Sequence, residues 1–331
     1  GNGSLLISAN GGAGYVEMSD SYLDSVGDME ITAGDYVKAL NTVMSGTDSL
    51  TVDAAAGYVE FNEVTAESEG GITVNAGTDV TILASTLDTT IVPLGGDILI
   101  DAGSGNLRVD GSDLTSDGQA SLTAAVNVDI LDSLIDAQDG VVVTATTGSM
   151  DITNTTVSSS NDIIDINAQT NVDITDGTLT AEGDITIDAA TGYVWIDPTT
   201  IISNSGSILV TAALDVDIVD TEMDAGADID VSAGEDVSIV RSILEADDNI
   251  LIDADTGNIY IDNTVAYAYN GTLDVTADGD VDITAASDLF GDGDVTIDAA
   301  TGYVRIADVS LVTSGNGSLL ISANGGAGYV E

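Results

Sequence analysis

The sequence ends as it begins. Residues 1–17 read GNGSLLISANGGAGYVE, and residues 315–331 read the same, at an offset of 314. Chance does not match so many positions, and a closed globular domain has no reason to finish on its own opening. The simplest source is a window on a longer array whose sequence recurs every 314 residues. An end-to-end array makes length, so the repeat alone points towards a structural role.

Smaller repeats lie inside the large one, and they decide the fold. GDITIDAATGYVWI at 183–196 returns as GDVTIDAATGYVRI at 293–306. Looser copies stand at 48–61, 96–109 and 248–261, and a shorter variant at 70–82 and 227–239. Together the two kinds divide residues 1–314 into 14 units with a mean of about 22 residues.

Each unit holds two alternating runs and a third, weaker one. Ile185-Thr186-Ile187 and Val194-Trp195-Ile196 are examples of the first two, and Leu179 or Ile201 centres a third. A period of two in short pieces, split by Gly, Asn and Asp, reads as strands and tight turns. No stretch keeps a helical period. The pattern predicts an all-β chain: a single-stranded parallel β-helix, or β-solenoid, of about 14 coils of ~22 residues with three short strands per coil. The crossover rule makes it right-handed. Residues 1–331 are expected to form one continuous segment, with 315–331 occupying in the next module the place of 1–17. Coils about 4.8 Å apart would span on the order of 67 Å.

The register follows from two rows. The inward row of the second strand reads Val16, Val37, Val59, Val80, Leu107, Val128, Met150, Val172, Val194, Val216, Val237, Ile259, Val281, Val304. The next residue in each coil faces outward, and three of the four basic residues fall there. Lys38 lies between Glu17 and Glu60, Arg108 neighbours Asp129, and Arg305 lies between Asp282 and Glu331. Opposite charges on adjacent strands contribute up to about 1 kcal/mol each, and like charges oppose pairing. The row just before the turn alanine, from Ser8 and Thr32 through Asp53 and Asn75 to Asp298, never places two Asp side by side.

Composition bounds the function. The chain carries 57 acidic and 4 basic residues, a formal net charge of −53, with no Cys and no His. Its 44% hydrophobic content still predicts a folded core, and with 4% aromatic residues that core is aliphatic. Four basic residues cannot neutralise a nucleic-acid backbone. An anionic membrane surface would repel the chain, and no apolar run is long enough to insert. No secretion signal is visible and the first residue is not Met, as expected of a mature or excised segment. So acidic a surface needs cations around it, as in high salt or a calcium-rich exterior.

The pattern apolar-x-apolar-x-Ala-Gly-x-Asp-Val-x-Ile at 72–82 and 229–239 resembles the haemagglutinin-type repeats of filamentous-haemagglutinin-like secreted proteins. That resemblance implies a long extracellular right-handed β-helix serving as a surface fibre or adhesin. The chain departs from those proteins in its extreme acidity and in lacking their secretion domain.

Several constellations could carry chemistry. Asp215 and Asp236 share one turn position on adjacent coils beside Asp217, and close carboxylates at a turn are hard ligands for calcium. Asp and Gly also dominate turns for purely conformational reasons. Tyr15, Tyr36 and Tyr58 precede the second strand on three successive coils, and Tyr303 and Tyr329 do so on the last two. They form either plain turn packing or an aromatic surface for sugars. Leu6, Leu99, Val142, Leu209 and Leu251 dot the outward row of the first strand, where fibres could pack side by side. Sequons at Asn2, Asn154, Asn270 and Asn316 could carry glycans. Catalysis lacks a His, a Cys or converging basic residues.

The resulting expectation is a non-enzymatic structural protein of the cell surface or exterior: a fibre, sheath, stalk or filament segment. Its partners would be further copies of itself, end to end and side by side, and cations. The alternative is an adhesin that binds glycans or host surfaces.

Overall fold

The computed structural model describes residues 3–90, 96–308 and 310–324. Described residues form strands and turns, with no helix among them, hence none long and apolar enough to cross a membrane. Parallel strands stack as a β-solenoid of about 14 turns of ~22 residues, three short strands to a turn. The chain divides into two compact units, Gly1–Ala168 and Gln169–Glu331.

In the first unit a representative coil runs through a first strand Ala120–Ala124, a second Val128–Leu131 and a third Leu134–Ala137. Each pairs in parallel with its counterpart one coil on: Ala120 with Val141, Val128 with Met150, Leu134 with Thr156. The second unit repeats the plan. Ile229–Ala233, Val237–Val240 and Ile243–Ala246 pair with Ile250–Ala254, Ile259–Asp262 and Val265–Ala268.

Every second residue of a strand faces the interior, so like positions stack into aliphatic ladders. All residues of the inward row from Val16 to Val304 are buried, as the alternation requires. Fully burying one Val or Ile contributes about 1.5–3 kcal/mol, and the ladders repeat that gain coil after coil. Ala closes each first strand on its inner side, as Ala124, Ala145, Ala233 and Ala254 do. Its small side chain fits where the chain turns away.

Between second and third strands the backbone usually turns through a left-handed residue. Asp20, Asn41, Gly111, Asp132 and Asn154 take this conformation in the first unit and Asp176, Asp220 and Asn263 in the second; Glu63, Ala84 and Arg241 do so as well, and Ala285 and Ala286 in succession. Asn, Asp and Gly tolerate a positive φ better than other residues. Pro198 holds this position in register with Asp176. Its ring fixes φ near −65°, and there the strand runs unbroken from Val194 to Ser203.

The residue after the corner is usually Ser or Thr, and its hydroxyl links coils. Ser112 Oγ donates to the Asp110 carbonyl at 2.9 Å and accepts the Ser85 amide at 3.1 Å. Ser133 does the same for the Leu131 carbonyl and the Ser112 amide, and Ser242, Thr264 and Ser287 repeat it in the second unit. Thr199 follows Pro198 rather than a left-handed corner, and its buried hydroxyl has no partner.

Candidate functional site

The acidic residues are not spread at random; many belong to ladders that run from coil to coil. Before the second strand, Asp79 Oδ1 accepts the Asn106 amide at 2.8 Å. Asn106 Oδ1 then accepts the Asn127 amide at 3.2 Å, and Asn127 Oδ1 the Ser149 amide at 3.0 Å. In the second unit the series is Asp215, Asp236, Asn258, Asp280. Each side-chain oxygen accepts the amide one coil on, at 3.1, 2.7, 2.9 and 3.0 Å, ending on Tyr303. A parallel ladder lies before the first strand, where Asp228 takes the Asn249 amide and Asn249 the Thr272 amide, each at 2.9 Å. The turns thus satisfy amides that strand pairing leaves over.

Glycine makes room for this ladder. At Gly257 a Cβ would overlap the Asp236 Oδ1 and the Glu235 carbonyl oxygen. This explains the recurring Thr-Gly before the second strand: the position needs a residue with no side chain.

The predicted calcium residues fall into place here. Asp215 and Asp236 occupy the same turn position, and one oxygen of each is engaged by a neighbouring amide. Asp217 stands on the outward row between Trp195 and Ser238. Burial raises its carboxyl above the usual value, and the fields of Asp215 and Asp236 add to the effect while a Ser238 hydrogen bond opposes it. Among the described residues no group of three or more His, Cys, Asp or Glu is arranged to hold a metal ion.

On the outward row the registers match the sequence reading: Glu17 with Lys38, Lys38 with Glu60, Arg108 with Asp129, Asp282 with Arg305. The ion pairs are more selective. Lys38 Nζ reaches Glu60 at 2.7 Å, while Glu17 accepts the Tyr36 hydroxyl at 2.7 Å. Arg108 pairs with Asp110 on its own strand at 2.7 Å rather than with Asp129. Asp129 is left against Asp151, and burial, then that repulsion, raise its carboxyl above the usual value despite Arg108. Arg241, which the outward row did not include, makes two 2.7 Å bonds to Asp220. Glu331 lies outside the described residues.

In the row before the turn alanine no Asp pairs with another Asp among the described residues, and hydroxyls bond to neighbouring carboxylates. Thr211 donates to Asp188, Thr276 to Asp253 and Ser322 to Asp298.

The tyrosines stack in register. Ring centroids of Tyr15 and Tyr36 lie 4.9 Å apart with planes at 6°, and those of Tyr36 and Tyr58 lie 5.0 Å apart at 2°. The spacing is that of the coils themselves. The bond to Glu17 pushes the Tyr36 phenol up to about 12. Tyr303 instead donates to Asp282 at 2.9 Å. Tyr329 and Asn2 lie outside the described residues.

Sequence reasoning missed a second aromatic group. Tyr267 and Phe290 face outward on adjacent third strands, and Tyr269 follows on the next turn. The signal was readable: other outward rows of third strands carry mainly Thr, Ser, Asp and Glu.

Comparison with family models, curated proteins and solved structures finds no match for this chain.

Proposed function

We propose that this chain is a structural filament module of the cell surface or exterior, lengthened by coil-on-coil continuation into further copies of the same sequence. One observation carries the reading. The sequence LLISA forms the first strand of a coil twice, as Leu5–Ala9 and as Leu319–Ala323. Each has a strand partner on one side only among the described residues, Met29–Ala33 and Val295–Ala299 respectively. Leu319 continues the inward row of Leu273 and Val295, which are fully buried, yet it is 46% exposed. An inward ladder with one open rung and unpaired strand edges is a template for another coil. Because Leu319–Ala323 repeats Leu5–Ala9, the strand that fits its open side is the next copy's counterpart of Met29–Ala33.

In this role the carboxylates set spacing and keep filaments apart unless cations screen them. Cations act here as counter-ions, since Asp215, Asp217 and Asp236 do not come together as a metal-holding group.

Electron microscopy of the purified chain in NaCl and in millimolar Ca²⁺ at matched ionic strength tests this. Thin unbranched filaments are expected, shortened by Ile321→Pro, which removes a strand donor at the open edge. Dispersed particles at every concentration, unchanged by Ile321→Pro, would contradict the proposal. If Ca²⁺ lengthens filaments no more than NaCl does, the ion plays no specific part.

A further inference from the structure

The second unit carries a depression of about 320 Å³ lined by Tyr267, Tyr269, Asp288, Phe290, Leu311 and Thr313. It gathers three of the chain's 13 aromatic residues. The rings do not follow the coil stacking seen at Tyr15, Tyr36 and Tyr58. Tyr267 stands nearly perpendicular to both neighbours, 76° from Tyr269 at 6.1 Å and 76° from Phe290 at 5.9 Å. Two rings set edge-on against a third make walls rather than a flat platform. Tyr269 and Leu311 are 45% and 52% exposed, so the walls reach solvent.

The polar ends of both tyrosines are tied to carboxylates. Tyr267 donates to Asp288 at 2.5 Å and Tyr269 to Glu245 at 2.9 Å. These bonds fix the rings and keep both phenols protonated, Tyr267 being held up to about 12. They also place two negative charges at the ring edges, which makes the ring faces still more attractive to a cation. The basic residues are engaged elsewhere: Lys38 with Glu60, Arg108 with Asp110, Arg241 with Asp220, and Arg305 with Asp282.

We propose that this depression binds a quaternary ammonium group, of the size and chemistry of the choline headgroup. The charge argues for a cation: the chain carries −53 overall. Rings and Leu311 rather than open carboxylates line the space, which favours a large, weakly hydrated alkylammonium over a small metal ion. A trimethylammonium fits against aromatic faces without needing hydrogen-bond partners, and here the nearby carboxylates already have phenols as donors.

Titration of the full chain with choline chloride, followed by calorimetry and by tyrosine fluorescence at constant ionic strength, tests the assignment. Saturable binding is expected. The neutral isostere 3,3-dimethylbutan-1-ol should bind at least about tenfold more weakly, the loss of one cation–π contribution. Phe290→Leu and Tyr269→Leu should each weaken choline binding by about tenfold while leaving thermal unfolding in place, and Tyr58→Leu should not weaken it. Phosphocholine in parallel separates a free ammonium from a phosphorylated headgroup, the former binding more tightly if the surrounding carboxylates repel phosphate. The proposal is overturned by three outcomes: equal binding of choline and its neutral isostere, choline uptake indifferent to Phe290→Leu, or binding of methyl glucoside in place of choline. The second would mean diffuse counter-ion gathering, and the third a sugar surface.

Discussion

Two sets of aromatic rings lie on this molecule and obey opposite rules. Tyr15, Tyr36 and Tyr58 occupy one coil position and stack flat at 4.9 and 5.0 Å. Tyr269 and Phe290 each stand on edge to Tyr267 around a depression. The first set repeats with the coil and serves the stacking, as the aliphatic ladders inside and the Asx ladders at the turns do. The second set departs from the repeat, and there three rings gather around one depression with Leu311. In a fold built from copies, position within the ladder reports structure and departure from it reports a site.

The contrast is tested most severely one residue apart on a single strand. Val194 faces the inward ladder and is fully buried, while Trp195 beside it is on the outward row. Val194→Asp puts an unpaired charge into the core and should cost several kcal/mol or prevent folding. Trp195→Asp should change denaturant midpoints far less. If the outward substitution proves the more damaging, the inside–outside assignment is wrong by one residue.

Next in size is the glycine under the turn ladder. Gly257→Ala forces a methyl group against Asp236 and Glu235 and should cost about 2 kcal/mol in urea melts. Gly111→Ala asks for a left-handed alanine with nothing crowding its Cβ, and should cost about 1 kcal/mol. Equal costs at both sites would mean that close approach between coils is not what the turn glycines provide.

The two aromatic sets should part company under substitution. Tyr36→Leu removes the middle ring of the stack and should lower the melting temperature without touching choline binding. Phe290→Leu should do the reverse. A melting loss at Phe290 as large as that at Tyr36 would merge the two sets into one structural class.

The smallest expected effect is on pH. Asp129 and Asp217 are raised above the ordinary carboxylate value of 3.8, each chiefly by burial. The folded chain therefore holds these protons more tightly than the unfolded chain does. Their contribution to stability is complete below 3.8 and is lost as pH rises through the folded values. Melting temperature should climb as the pH is lowered towards 3.8, and Asp129→Asn should reduce that climb. A climb that Asp129→Asn leaves unchanged would contradict the burial of this group.

Much of this was legible in the sequence because a repeat states its own register. Val16 to Val304 read as one inward row, and Glu17, Lys38 and Glu60 as neighbours, since period two and the unit length fix both. The Asx ladder was visible only as acidic turns: nothing in Asp215 or Asp236 alone says that the oxygen accepts the next coil's amide. Arg108 choosing Asp110 over Asp129 depends on a rotamer, which spacing does not encode. Tyr267 and Phe290 stand on a readable outward row, but Tyr269 sits in a turn outside the alternation, so nothing in the rows joined it to them.

The account's central claim is that one coil of this sequence is completed by the next copy. Hydrogen exchange on a chain carrying two successive 314-residue repeats tests it most directly. Backbone amides of Leu319–Ala323 at the junction should be protected as strongly as those of the interior strand Ile229–Ala233, because both would be paired on two sides. Fast exchange at the junction with slow exchange in Ile229–Ala233 would show that the coils stop there, and the filament reading would fail.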